Sequence, residues 1–167
     1  MLTPDREEES AMTQPAGWFA LIAVLGTAVV YGTDVFCAMV QRPALARIDD
    51  RALLAVMGNV HRYGDRRMPV PGVIGMVAAA TSAAFAAASG HWTQAGAAGV
   101  ALGLLLIWLV VYLRVSKPIN QQLTAGADHP DLPTDARALQ RNWDKVIVIR
   151  ATLQGLAVAA LCLTLLI

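Results

Sequence analysis

Asp34 lies in YGTDVFCAMVQRPAL, Tyr31 to Leu45, inside an apolar run that begins at Ala16. A carboxylate at the centre of a membrane helix costs about 2.5 to 3.5 kcal/mol on insertion scales, so it calls for a proton or a partner. Arg150, in NWDKVIVIRATLQ, is the matching oddity in the last apolar stretch. Counted inward from Gln41, Asp34 lies about 10 Å along a helix and Tyr31 about 15 Å; counted from Lys145, Arg150 lies about 7 Å in and Gln154 about 13 Å. The levels match if the two helices are antiparallel. Tyr31, Asp34, Ala38 and Gln41 share one helix face, and Trp143, Ile147, Arg150 and Gln154 share another. A charge in hydrocarbon is tolerated when it faces the bundle interior and finds an opposite charge, and a guanidinium fork can hold a carboxylate bidentately. The expectation is an Asp34–Arg150 pair facing an internal cavity. The plainer alternative has Arg150 snorkelling to the headgroups, with Asp34 protonated or bonded to Thr33.

His61, in NVHRYGDRR, is the histidine nearest that level; it titrates near neutral pH and could act as a base, or it is an ordinary interfacial histidine. A non-haem iron triad needs two histidines and a carboxylate, whereas His91 and His129 fall in other loops, so no metal site is expected. Trp108 reaches a similar depth and Tyr112 lies nearer the interface. Tyr63 and Asp65 read as the end of a helix, and Arg66 and Arg67 as contacts to anionic headgroups. Trp18 and Trp92 fit an outer aromatic belt and Trp143 the inner one. Cys37 and Cys162 lack any paired or zinc-like spacing and read as buried free thiols. There is no GxSxG, P-loop, GxGxxG or HExxH motif, and no histidine pair suited to haem.

The elements that must position these residues are membrane helices. The chain has 167 residues, of which 56% are hydrophobic, and a net charge of +1, with a mean hydropathy of +0.52. That exceeds the apolar share of soluble domains and offers no basic, aromatic-interleaved surface for nucleic acid. Residues 1–15 are acidic and proline-broken and read as a disordered tail rather than a signal peptide. Residues 16–167 form a single domain with spans at about 16–40, 70–89, 93–113 and 146–167, each near the length that crosses a bilayer. The alanine-rich second span can insert as a hairpin with the strongly apolar third; a soluble bundle with a buried alanine helix is the alternative. Between spans one and two, Asp49 or Asp50 caps an amphipathic helix from about Arg51 to Tyr63, stopped by Gly64, which would lie at the interface. Pro133 and Thr134 start a last helix that projects beyond the membrane. The fold class is therefore all-α: an integral membrane four-helix bundle with a cytoplasmic interfacial helix and a long last helix reaching into the cytoplasm. The loops after spans one and three carry most of the Lys and Arg, which puts both termini outside and those loops in the cytoplasm, in a bacterial plasma membrane.

The Gly-containing first span with its RPAL exit, the KPINQQL segment after span three and NWDKVIVIR entering span four resemble the anthrone oxygenase family of small four-helix membrane proteins. The family pattern of a Pro and Asn, then a Trp, a His and an Arg, is matched at Pro118, Asn120, Trp143 and Arg150. Val146 or Ile147 stands where the histidine would be. The resemblance implies oxidation of a lipophilic polyketide-type anthrone by molecular oxygen, with no cofactor. It implies that Arg150 stabilises the anion and that Asp34 or His61 supplies the base. Trp143 and Trp108 would flank the ring and Asn120 would orient it, with Tyr31 and Gln154 as further substrate contacts.

Two other readings stay open. One is a non-enzymatic membrane module that binds lipid or a partner protein. The other is a small transporter, which would have to assemble from several copies because no inverted repeat or broken helix is visible. The expected partners are the lipid bilayer, a small lipophilic aromatic with oxygen, and a second copy of the chain in a homo-oligomer.

Overall fold

The computed structural model describes residues 4–129 and 135–167, with side chains from Pro15 onward. Among them the chain is helical, without strands: α1 (Pro4–Phe36), a wider π turn (Cys37–Gln41), α2 (Arg42–Leu45), α3 (Asp50–Arg67), α4 (Pro69–Ala88), α5 (Trp92–Val111), a second π turn (Tyr112–Ser116), α6 (Lys117–Asp128) and α7 (Ala136–Leu166). Four helical stretches are long and apolar enough to cross a membrane, which makes the chain an all-α bundle of the membrane type.

The bundle is a ring in which α1 and α5 each pack on both α4 and α7. Its interior is built from small residues, chiefly Ala23, Ala78, Ala79, Ala101 and Ala157, with Leu105 and Leu161. Small side chains let helices approach closely in lipid, where no hydrophobic effect drives them together. The approach is tightest between α1 and α4. A Cβ on Gly26 would lie 2.8 Å from the Pro71 carbonyl oxygen, and one on Gly75 would lie 2.8 Å from Thr27 Oγ1. The alanines of the second span, which add little to insertion, thus serve packing.

A second layer continues the bundle at one end. Here α3 packs on α6 and α7, around a larger-residue core of Leu53, Met57, Leu123, Trp143 and Ile147. Asp49 caps α3 by accepting from Ala52 N–H at 2.8 Å, and that bond holds its carboxyl below the ordinary range. Arg137 of α7 ties down the turn before α3, donating to the Leu45 and Ile48 carbonyls at 3.0 and 2.7 Å and to Asp50 at 2.9 Å.

Several boundaries differ from the sequence reading. Gly64 does not stop α3: a glycine ends a helix by turning left-handed, and among the described residues positive φ occurs at Gly90, in the α4–α5 turn. Instead Met68 N–H donates to the Gly64 carbonyl at 2.9 Å. The helix runs on to Arg67, and after Met68 alone α4 begins with Pro69. Helix α6 lies in the connection between spans three and four; Pro118 near its start and buried Ile119, Asn120, Leu123 and Gly126 are its helical signature. Helix α1 begins at Pro4, within the segment expected as a tail. The expected helix start at Pro133 and Thr134 lies outside the described residues; α7 is described from Ala136, capped by Asp135, which accepts from Ala138 N–H at 2.7 Å.

Candidate functional site

The polar residues collect between the two cores, where the bundle meets the second layer. Arg150 projects inward from α7, on the buried face that also carries Trp143, Ile147 and Gln154. Its Nη2 donates to Asp34 Oδ1 at 2.8 Å and its Nη1 donates to Ser116 Oγ at 3.0 Å. The other Asp34 oxygen accepts from Gln154 Nε2 at 2.6 Å and from Trp108 Nε1 at 3.3 Å. Asp34 and Arg150 are 3% and 6% exposed, so the pair faces the interior and Arg150 does not snorkel. The guanidinium carbon lies 5.7 Å from the Trp108 ring centre, 5.6 Å from Tyr112 and 5.8 Å from Trp143. Three π faces around one cation, with a carboxylate on its edge, hold it by charge and quadrupole together.

The π turn after α5 explains how one helix supplies so many of these groups. Trp108, Tyr112, Ser116 and Asn120 are spaced four apart, and in a regular α-helix each such step drifts about 40° around the axis. A turn bonded i to i+5 holds more residues and takes that drift back. The four side chains therefore stay on the site's side. The π turn after α1 sits at the same junction, following Asp34 and contributing Cys37 and Gln41 to the lining.

Asp65, expected only to end a helix, is part of the site. Its Oδ1 accepts from Tyr112 Oη at 3.0 Å and from Asn120 Nδ2 at 2.8 Å. Because α3 continues past Gly64, Asp65 lies one turn beyond His61 on the same face. Ser116 and Tyr112 were likewise not singled out as site residues; the repeat of four from Trp108 to Asn120 is the signal that carries them.

A cavity of about 140 Å³ fills the centre of this arrangement, lined by Asp34, His61, Trp108, Asn120, Trp143 and Arg150 among others. Gln154 stands behind Asp34 as its hydrogen-bond donor. Tyr31 does not line the cavity; its ring fills the notch at Gly155, where a Cβ would come within 3.1 Å of it. Four buried polar atoms of the lining residues have no protein partner: His61 Nε2, Asn120 Oδ1, Trp143 Nε1 and Arg150 Nε. Leaving such groups unpaired costs about 1 to 3 kcal/mol each, and native proteins leave few. The residues that line the cavity thus carry two N–H donors, one carbonyl acceptor and one imidazole nitrogen without a protein partner. His61 lies against Trp143, ring centres 5.5 Å apart. Among the described residues no three His, Cys, Asp or Glu side chains converge as metal ligands.

Ile147 is fully buried in the core of the second layer, and neither it nor Val146 lines the cavity. The imidazole at this cavity comes from α3.

Among known proteins, the family model described as Anthrone oxygenase matches residues 66–162, more than half of the chain. The matched stretch contains Asn120, Trp143 and Arg150, while Asp34, His61 and Asp65 precede it. No curated protein and no solved structure matches.

Proposed function

We propose that this chain, which belongs to the anthrone oxygenase family, is an oxygenase that converts a lipophilic anthrone-type aromatic to its quinone in the cavity around Arg150. The observation that carries the reading is the set of four unpartnered atoms, His61 Nε2, Asn120 Oδ1, Trp143 Nε1 and Arg150 Nε, around one apolar-walled space. An anthrone is a flat ketone whose ring CH₂ is acidic, because the anion it forms is an aromatic oxyanion. A base, two N–H donors for the oxyanion and an aromatic wall are what that step requires.

Each role falls to a group whose hydrogen bonding leaves it free for it. Asp34 already accepts from Arg150, Trp108 and Gln154, so it acts as the counter-ion that fixes Arg150. His61, with Nε2 open, takes the proton. Arg150 Nε–H and Trp143 Nε1–H receive the oxyanion, and Asn120 Oδ1 accepts from a ring hydroxyl. The electron-rich anion then reduces oxygen directly: a C–O bond forms at the former CH₂, and the resulting hydroperoxide takes up the proton from His61. Loss of water with the remaining ring hydrogen leaves the second carbonyl. One anthrone and one O₂ give one quinone and one water. The reaction so written draws on no cofactor.

The test is oxygen uptake by purified protein with emodin anthrone, measured against protein-free autoxidation. The expected result is uptake of one O₂ per anthrone, lowered about 10² to 10⁴-fold by His61→Gln, the range for loss of a general base, and comparably by Arg150→Gln. Uptake no faster than autoxidation across several anthrones overturns the reading.

A further inference from the structure

The buried and the exposed lining of the cavity differ in chemistry. The unpartnered polar atoms belong to His61, Asn120, Trp143 and Arg150, all of which are buried. The lining residues that are exposed are apolar and come from one stretch of chain: Val60 at 43%, Pro69, and Val73 at 51%. They flank Met68, where α3 passes into α4. Its volume of about 140 Å³ is close to the roughly 150 Å³ cavity that accommodates benzene. A fused-ring guest exceeds it, so part of the guest extends past Val60 and Val73.

What lies outside that opening follows from the sequence around it. Helix α4 is the apolar part of its candidate membrane-spanning stretch and starts at Pro69, which puts Val73 one turn into that apolar part. Between Val60 and Val73 in the chain, Arg66 and Arg67 are exposed, with the Arg67 guanidinium over the Tyr63 ring at 5.3 Å. Basic side chains beside an aromatic mark the headgroup level. The opening therefore faces the headgroup and upper acyl zone, flanked by side chains that an aqueous entrance would not favour.

We infer that the site is loaded sideways from the bilayer, through a doorway between Val60 and Val73. Its ligand is a membrane-dissolved planar fused-ring aromatic that carries hydroxyl or carbonyl groups. The part that bears them goes in first and meets the open donors and acceptor. An outer, apolar ring stays at the rim, in contact with acyl chains. The inference rests on the proposed function only in that the cavity takes a ligand; it does not require turnover.

The experiment uses full-length protein in lipid nanodiscs, with Trp18→Phe and Trp92→Phe leaving Trp108 and Trp143 as reporters. The probe is 1,8-dihydroxyanthraquinone, whose arrival quenches tryptophan emission in a stopped-flow record. Val73→Phe and, on the opposite rim, Val60→Phe are expected to slow quenching about tenfold, a change in association rate. Val77→Phe, one turn further along α4, 59% exposed and outside the cavity, is expected to leave it unchanged. When lipid is varied at constant total probe, the rate is expected to follow probe per lipid. A rate that follows the free aqueous probe overturns the inference, as does equal slowing by Val77→Phe or none by either rim variant. Quenching that behaves as expected without oxygen uptake sinks the proposed oxygenase and leaves the doorway standing; uptake that ignores both rim variants does the reverse.

Discussion

At the scale of single residues, Asp34 and Arg150 hold each other where neither would be tolerated alone. The carboxylate accepts from three side chains, and the guanidinium is bonded on both Nη atoms and faced by three rings. Removing one member of such a buried pair strands the other, at about 3 to 5 kcal/mol. Asp34→Asn and Arg150→Gln are each expected to lower stability on that scale, and the double variant by clearly less than the sum. Thermal unfolding of the four proteins in detergent measures it; additive losses would mean that the two do not act as a pair. This pairing was legible from the sequence, because one rise per residue places both groups at the same depth. The Asp65 contacts were not. Asp65 follows Tyr63 and Gly64, which suggest an ending, and only the burial of α3 against α6 keeps the helix going and turns the carboxylate inward. Tyr31 misled in the opposite sense: it lies on Asp34's side of α1 by counting, but Gly155 leaves a notch that its ring fills.

At the scale of elements, hydropathy located the four spanning helices and the amphipathic α3, because apolar windows and helical periodicity survive any packing detail. The two π turns could not be read that way. They depend on which wall of the helix must face the site, a requirement set by other helices. The α1–α4 crossing was hidden for a related reason, since a glycine in an apolar run says nothing of what approaches it. That crossing yields a test. Gly75→Ala would place a methyl 2.8 Å from Thr27 Oγ1 and 3.0 Å from the Thr27 backbone nitrogen. Backbone cannot give way as a side-chain tip does, so the helices must separate, at about 1 to 3 kcal/mol. Gly96→Ala, where nothing lies within 4 Å, is the matched control on α5 and is expected to be neutral or slightly stabilising. Equal melting temperatures for the two variants would show that the crossing is not tight.

At the scale of the molecule, two dry cores of different grain enclose one wet layer: alanines in the bundle, Leu, Met and Trp beyond it, and the charged cluster between. We propose that the wet layer lies towards the cytoplasm, because the lysines and arginines gather on that end while the Ser89–Trp92 turn has none. The C-terminus is then outside. Alkaline phosphatase fused there is expected to be active and green fluorescent protein dark; the opposite pattern inverts the molecule. Helices α3 and α4 form nearly one rod, and prolines interrupt it at the doorway. Pro69 and Pro71 carry no N–H, so the carbonyls of Asp65 and Arg67 lose their partners four residues on. A rod bends where its bonds are missing. Its mechanical compliance is therefore concentrated beside Val60 and Val73, and under the proposed loading route a stretched, thinned or curved bilayer would act on the width of the opening before it strained either core.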